Sequence, residues 1–234
     1  EPGEYEVGMV YTRDKLKQVV APGRRELYWK GPVDVKAETV DIKENFALAK
    51  NKIGPLSRAR SSDVPAEFIN SVVMTEVADK HVGLLIVDGE LQKSLKPGLH
   101  AYWKYNRNVK IEQVDMRLQV MEVQGQEILT KDKVSLRVNL SAQYQITDPV
   151  KARSELVNIV DYVYRELQFA LRQVVGTSTL DVLLGNKDEL DTVVYELVHK
   201  KVAEFGIKIY SVGVKDVILP GDMKDILNKV VEAE

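Results

Sequence analysis

Cysteine is absent from the 234 residues. That excludes disulfides, thiolate nucleophiles and thiolate-bound zinc together, and it fits a reducing compartment without requiring one. Long apolar runs are missing as well. A piece such as Leu84-Leu85-Ile86-Val87 is strand-sized, far short of a bilayer span. Neither sign of charge is in surplus: 33 Lys and Arg face 35 Asp and Glu, so no global basic field draws nucleic acid or anionic lipid. No signal peptide is visible, and an opening at Glu1 without Met is expected of a trimmed chain; an anchor outside it would leave no trace.

Chemistry-bearing constellations are equally scarce. His81, His100 and His199 have no partners at metal-ligand spacing and read as structural or solvated. Asp188, Glu189 and Asp191 crowd a helix start, where the macrodipole favours negative charge. Asp41 and Asp115 read as turn or hydrogen-bonding residues rather than general acids or bases. Ser94 and Ser135 have no histidine in motif context, so no nucleophilic triad is supported. There is no GxGxxG or GxxxxGK cradle, and Gly213 sits alone in a strand. Arg24, Arg25, Arg58 and Arg60 are local and offset by acids, so no nucleic-acid surface is expected. Catalytic, cofactor and metal residues are therefore assigned to none.

What the chain does contain is a repeat. Residues 5–42 are written again at 80–116: Val7-Gly8 as Val82-Gly83, Pro22-Gly23 as Pro97-Gly98, Tyr28-Trp29-Lys30 as Tyr102-Trp103-Lys104. Val35-Lys36 and Val40-Asp41 return as Val109-Lys110 and Val114-Asp115. The offset is 75 residues up to the Pro-Gly pair and 74 after it. Repeated punctuation in the same order predicts one β-rich module used twice. Each copy reads as strand, tight turn (Arg13-Asp14 or Asp88-Gly89), returning strand, Pro-Gly and a further strand.

Residues 46–78 are polar and breaker-rich in the middle, which predicts a linker with a short helix near 66–69. Residues 134–146 alternate without a break, predicting a strand with one buried face. The strand before it changes phase at Val120-Met121, which suggests a β-bulge. Asp148-Pro149 opens a short helix as N-cap and first-turn proline. Val157, Val160, Val163, Leu167, Leu171 and Val174 form the stripe of a second helix, ended by Gly176. Asn186 and Glu189 read as a capping box for a third, whose apolar face runs from Leu190 to Phe205 and which Gly206 closes. A strand over 207–219 follows, broken by Pro220-Gly221, and a final amphipathic helix starts at Met223. Strands first and helices later, with one late strand, predict an α+β architecture. The expected organisation is a β-module at 1–45, a linker at 46–78, a domain at 79–220 and the start of a helix at 221–234.

Two sets of residues are candidates for contacts. Ile226, Leu227, Val230 and Val231 would pair between copies along the last helix, which is expected to lead into a longer, coiled-coil segment. The rings of Trp29, Trp103 and Tyr102 suit a bilayer interface, although plugging the end of a β-module is the reading the sequence favours.

The ordered motifs resemble the SPFH, or band 7, domain of stomatins, prohibitins and flotillins, and among these the bacterial stomatin-like slipins. The residues carrying it are Val82-Gly83-Leu84-Leu85, Pro97-Gly98-Leu99-His100 and Val114-Asp115-Met116-Arg117. Next come residues 126–134 (Gln126-Glu127-Ile128-Leu129-Thr130-Lys131-Asp132-Lys133-Val134), Tyr144-Gln145-Ile146-Thr147-Asp148-Pro149 and Val212-Gly213-Val214-Lys215-Asp216-Val217. The resemblance spans residues 79–234. It implies a non-catalytic, cofactor-free scaffold that self-assembles, organises membrane microdomains on the cytoplasmic side, and regulates a partner membrane protein of the NfeD type or a protease. Two departures stand out: the hydrophobic hairpin that precedes the domain in stomatins is replaced by the first repeat and its linker, and that repeat is extra to the stomatin plan. A soluble cytosolic adaptor without membrane contact is the alternative, and a hydrolase with a site between repeat and core is a third reading.

Overall fold

A computed structural model describes residues 1–29, 31–59, 61–125 and 127–221. The chain forms two compact units, Glu1–Asp115 and Met116–Glu234. Helices and antiparallel strands are mixed in it, as an α+β chain requires.

In the first unit, β1 (Glu6–Thr12), β2 (Lys15–Val20) and β3 (Val35–Asp41) form a sheet of order β2-β1-β3. Helix α1 (Lys50–Arg58), helix α2 (Ala66–Ser71) and strand β4 (Val72–Val77) follow. Then come β5 (His81–Val87), β6 (Glu90–Leu95), β7 (Gly98–Trp103) and β8 (Val109–Asp115). β6-β5-β8 make a second three-stranded sheet, while β4 pairs with β7. The two sheets agree in register. β1 pairs with β2 from Gly8↔Val20 to Thr12↔Lys15, slipping between Val10 and Tyr11. β5 pairs with β6 from Gly83↔Leu95 to Val87↔Glu90, slipping between Leu85 and Ile86. Glu6↔Asp41 in the first sheet matches His81↔Asp115 in the second. The turns agree too: Asp14 and Gly89 both take positive φ, which a two-residue hairpin demands.

The 46–78 stretch is not the linker its polar middle suggests. Leu48, Ile53, Phe68 and Val72 share one core with Val7, Met9, Leu16, Ile42 and Trp103. Burying these apolar side chains, at about 25 cal/mol per Å² of apolar surface, is enough to order a breaker-rich segment. The boundary between units falls after Asp115, inside the 79–220 stretch expected as a single domain.

The second unit is built on β11 (Ser135–Ile146), whose Leu136, Val138, Leu140, Ala142, Tyr144 and Ile146 are all buried. β9 (Gln119–Val123) and β10 (Glu127–Leu129) pair with one edge of β11, and β12 (Ile207–Ile218) with the other. The bulge suggested at Val120-Met121 does not form: β9 pairs in unbroken register from Gln119 to Val123. The change of phase arises because Leu118 lies before the strand, exposed. Bulges occur instead in β12, opposite Asn139/Leu140 and Gln143/Tyr144.

Helix α3 (Pro149–Glu155) follows β11, and α4 (Ile159–Thr177), α5 (Leu180–Gly185) and α6 (Lys187–Ala203) share a core with this sheet. Asp148 caps α3, its carboxylate accepting from Lys151 N–H at 3.0 Å. In α4 the buried stripe begins at Val163. Val157 precedes the helix, fully exposed, because Asn158 is the N-cap, and Val160 is half-exposed. The helix runs through Gly176 to Thr177. Asn186 bonds the Glu189 side chain at 3.2 Å rather than a backbone N–H, so the reciprocal capping box is not made.

Candidate functional site

The repeated Tyr-Trp pairs occupy opposite environments. Trp103 is completely buried, edge-on to Phe68 with ring centroids 5.7 Å apart and stacked on Tyr105 at 6.1 Å. Tyr102 is buried against Phe46. Neither ring reaches a surface, so Trp103 and Tyr102 are core residues and not membrane-interface ones. The Pro-Gly turn delivers them onto β7, between β4 and residues 46–48, and the core closes around them. Trp29, by contrast, is 95% exposed, beside Leu27 and a half-exposed Tyr28. The Tyr28 hydroxyl bonds the Gln18 side chain. Ile226, Leu227, Val230 and Val231 lie outside the described residues.

Tyr105 joins this core to α2. Its hydroxyl donates to Glu67 Oε1 at 2.6 Å. Burial, reinforced by that carboxylate, pushes the Tyr105 pKa up to about 12. The raised folded value means the neutral phenol stabilises the fold fully below the unfolded pKa near 10, and that contribution is lost as pH rises towards 12. Thermal unfolding at stepped pH should show a fall in midpoint between pH 10 and 12 that is shallower in Tyr105→Phe.

Thr130-Lys131-Asp132-Lys133-Val134 is a brace. The Thr130 hydroxyl donates to Asp132 Oδ1 at 2.6 Å and accepts from Val134 N–H at 3.0 Å. Asp132 in turn accepts from Leu180 N–H at the start of α5, at 3.2 and 3.3 Å. The hydroxyl of Thr130 and the Leu180 amide hold the Asp132 carboxyl below its ordinary value. This motif fixes a helix end and leaves no carboxylate free for proton transfer. Sequence reasoning located the motif but missed α5, whose capping residue lies far away in the chain.

Two cavities in the first unit have charged linings. One of about 410 Å³ is lined by Tyr11, Asp14, Lys36, Glu38 and Lys52 among others. Its charges are paired: Lys36 with Asp14 at 3.1 Å, and Lys52 with Glu38. Burial opposes the Lys52 ammonium, but hydrogen bonds to Glu38 and Tyr11 outweigh it and its pKa rises. The other, about 720 Å³, is lined by Lys50, Arg58, Lys93, Lys96 and His100 with apolar neighbours. Ser94 and His100 both line the larger one, where His100 Nε2 is engaged with Lys96 O at 2.8 Å. Among the described residues no group of three His, Asp or Glu could hold a metal ion. No described helix is long and apolar enough to cross a membrane.

With chemistry of this kind, similarity to other proteins becomes the more informative guide. The model of the SPFH domain / Band 7 family matches residues 75–234, well over half of the chain. The chain belongs to the SPFH/band 7 family. A stomatin homolog of Pyrococcus abyssi is 38% identical over 121 residues, covering 52% of this SPFH chain and 45% of the homolog. A stomatin homolog of Pyrococcus horikoshii is 37% identical, covering 52% and 46%. Stomatin-like protein 3 of Mus musculus is 29% identical over 120 residues, covering 51% and 42%. An uncharacterized protein of Archaeoglobus fulgidus is 34% identical over 155 residues, 60% of its own length. The SPFH chain thus spans about half the length of the curated relatives it matches.

Proposed function

We propose that this chain is part of a membrane-associated, non-catalytic scaffold of the stomatin-like, slipin type, which assembles with copies of itself and regulates a membrane partner such as an NfeD-like protein or a protease. Membership of the SPFH/band 7 family, with relatives named stomatin homolog, carries the reading. The site chemistry agrees with it: charges in the smaller cavity are neutralised in pairs, and the Thr130–Asp132 motif is spent on a helix end. Attachment to the membrane is peripheral, or through segments outside these residues, on the cytoplasmic side. The first β-module is a second copy of the module at 80–116, a reading supported by the matched strand order and slips.

Self-association would use Ile226, Leu227, Val230 and Val231, which recur at the spacing of one helix face. The test is the native mass of the full-length protein together with its co-sedimentation with vesicles of mixed neutral and anionic lipid. A large assembly retained on vesicles is expected, and Leu227→Asp should reduce the mass while circular dichroism stays unchanged. A single-chain mass, or a mass unmoved by Leu227→Asp, would overturn the assembly reading. Full recovery in the supernatant would favour the soluble adaptor.

A further inference from the structure

β7 and residues 24–29 follow the same Pro-Gly pair and end in the same Tyr-Trp, yet their backbones are treated differently. β7 is bonded along both edges. On one side it pairs with β4, from Val72↔Trp103 to Val77↔Gly98. On the other, Trp103 N–H donates to Phe46 O at 2.8 Å and Leu48 N–H to Ala101 O at 2.9 Å. Residues 25–29 form no backbone hydrogen bond among the described residues. A run of open amides and carbonyls beside Leu27, Tyr28 and Trp29 is a template for another strand.

The small core of the second sheet shows what such a strand would cover. Val77, Leu85, Leu95, Tyr102 and Val109 form it. Under the same offsets their counterparts are Pro2, Val10, Val20, Tyr28 and Val35. Pro2, Val10 and Val20 are buried, whereas Tyr28 and Val35 remain 45% and 37% exposed.

The first rung of the ladder is already in place. Gly23 N–H donates to Gly3 O at 3.1 Å, close to where Gly98 pairs with Val77 in the second copy. A Cβ on Gly8 would lie 3.1 Å from Pro2 Cγ, as one on Gly83 would lie 2.7 Å from Val77 Cγ2. Glu1 matches Glu76 and sits 3.7 Å from Arg25. Residues 1–3 therefore follow the track that the end of β4 takes in the second copy.

We propose that residues 24–29 are the acceptor edge for one more β-strand, and that its occupant is polypeptide of this same chain leading into Glu1. It runs antiparallel to 24–29, its side chains placed as those of β4 are, where Val73 and Val77 face the small core of the second sheet. Direction decides the source. A strand entering at Glu1 extends the existing rung without a break, whereas one from another molecule must stop short of Pro2 and turn outward. Main-chain bonds supply the affinity and the exposed rings the register.

The test fuses a copy of residues 72–75 ahead of Glu1, with a Gly-Ser extension of equal length as control. Iodide quenching reports on the two tryptophans. In the unextended chain and the Gly-Ser control, Trp29 is quenched and Trp103 is protected, which also certifies folding. The copied strand should shield Trp29 at every protein concentration. Trp29 quenched as freely as in the control would overturn the proposal. Shielding of Trp29 in the unextended chain that grows with concentration would also overturn it, by giving the edge to a second copy.

Discussion

Trp103→Ala is expected to lower folding stability by about 3–5 kcal/mol, a large fraction of what holds a domain of this size together. The side chain is completely buried between Phe68 and Tyr105, in the core that ties the first sheet to α1, α2 and β4. Removing it leaves a cavity whose walls come from several elements, so collapse around it is difficult. Trp103→Phe should recover much of the loss, because a ring still meets Phe68 and Tyr105 and the indole Nε1 makes no hydrogen bond among the described residues. Trp29→Ala, at the matching place in the first copy, should stay within about 0.5 kcal/mol. Urea melts of the three variants check this. Equal losses for Trp29→Ala and Trp103→Ala would contradict the burial difference.

The second large effect belongs to Gly206→Ala, with an expected loss on the order of 3 kcal/mol. Gly206 has φ +71°, where a side chain is strained, and it closes α6. An added Cβ would lie 2.6 Å from Asp148 Cβ and 2.7 Å from Asp148 O. Gly206 O also accepts from Thr147 N–H at 2.8 Å and Asp148 N–H at 3.0 Å, so the clash cannot be relieved by moving the two segments apart without breaking both bonds. Asp148 is the cap of α3, which would feel the displacement. A drop in Tm of roughly 6–12 °C follows for a chain of this length. Gly185→Ala is the control: φ there is ordinary and an added Cβ meets nothing within 4 Å, so its Tm should hold or rise slightly.

Much of the second unit could be read from the residues because local and tertiary preferences agree there. β11 alternates in sequence and in burial, Asp148-Pro149 starts a helix by cap and ring geometry, and Gly206 ends one by backbone freedom. The failures share a cause. Gly54 and Pro55 in α1 argue against a helix locally, and the packing of Ile53 overrules them. β4 was legible as the β-branched run at 72–77, yet the polar stretch before it drew the whole region into a linker. α5 depends on Asp132, 48 positions away. Most telling are Tyr28-Trp29 and Tyr102-Trp103, identical in sequence and opposite in burial, since what surrounds a side chain is not written in its immediate neighbours.

β11 has consequences for how the second unit opens. It is laddered to β10 and β9 over residues 135–137 and 140–144 on one side and to β12 over 137–146 on the other, under a roof of helices. Successive central amides bond alternately to the one neighbour and the other, and the helices cover the face, so deuterium should enter the middle of β11 as a whole only when the sheet comes apart in global unfolding. Its exchange rate is therefore a thermometer for the whole second unit, against which the fraying of every other segment can be scaled.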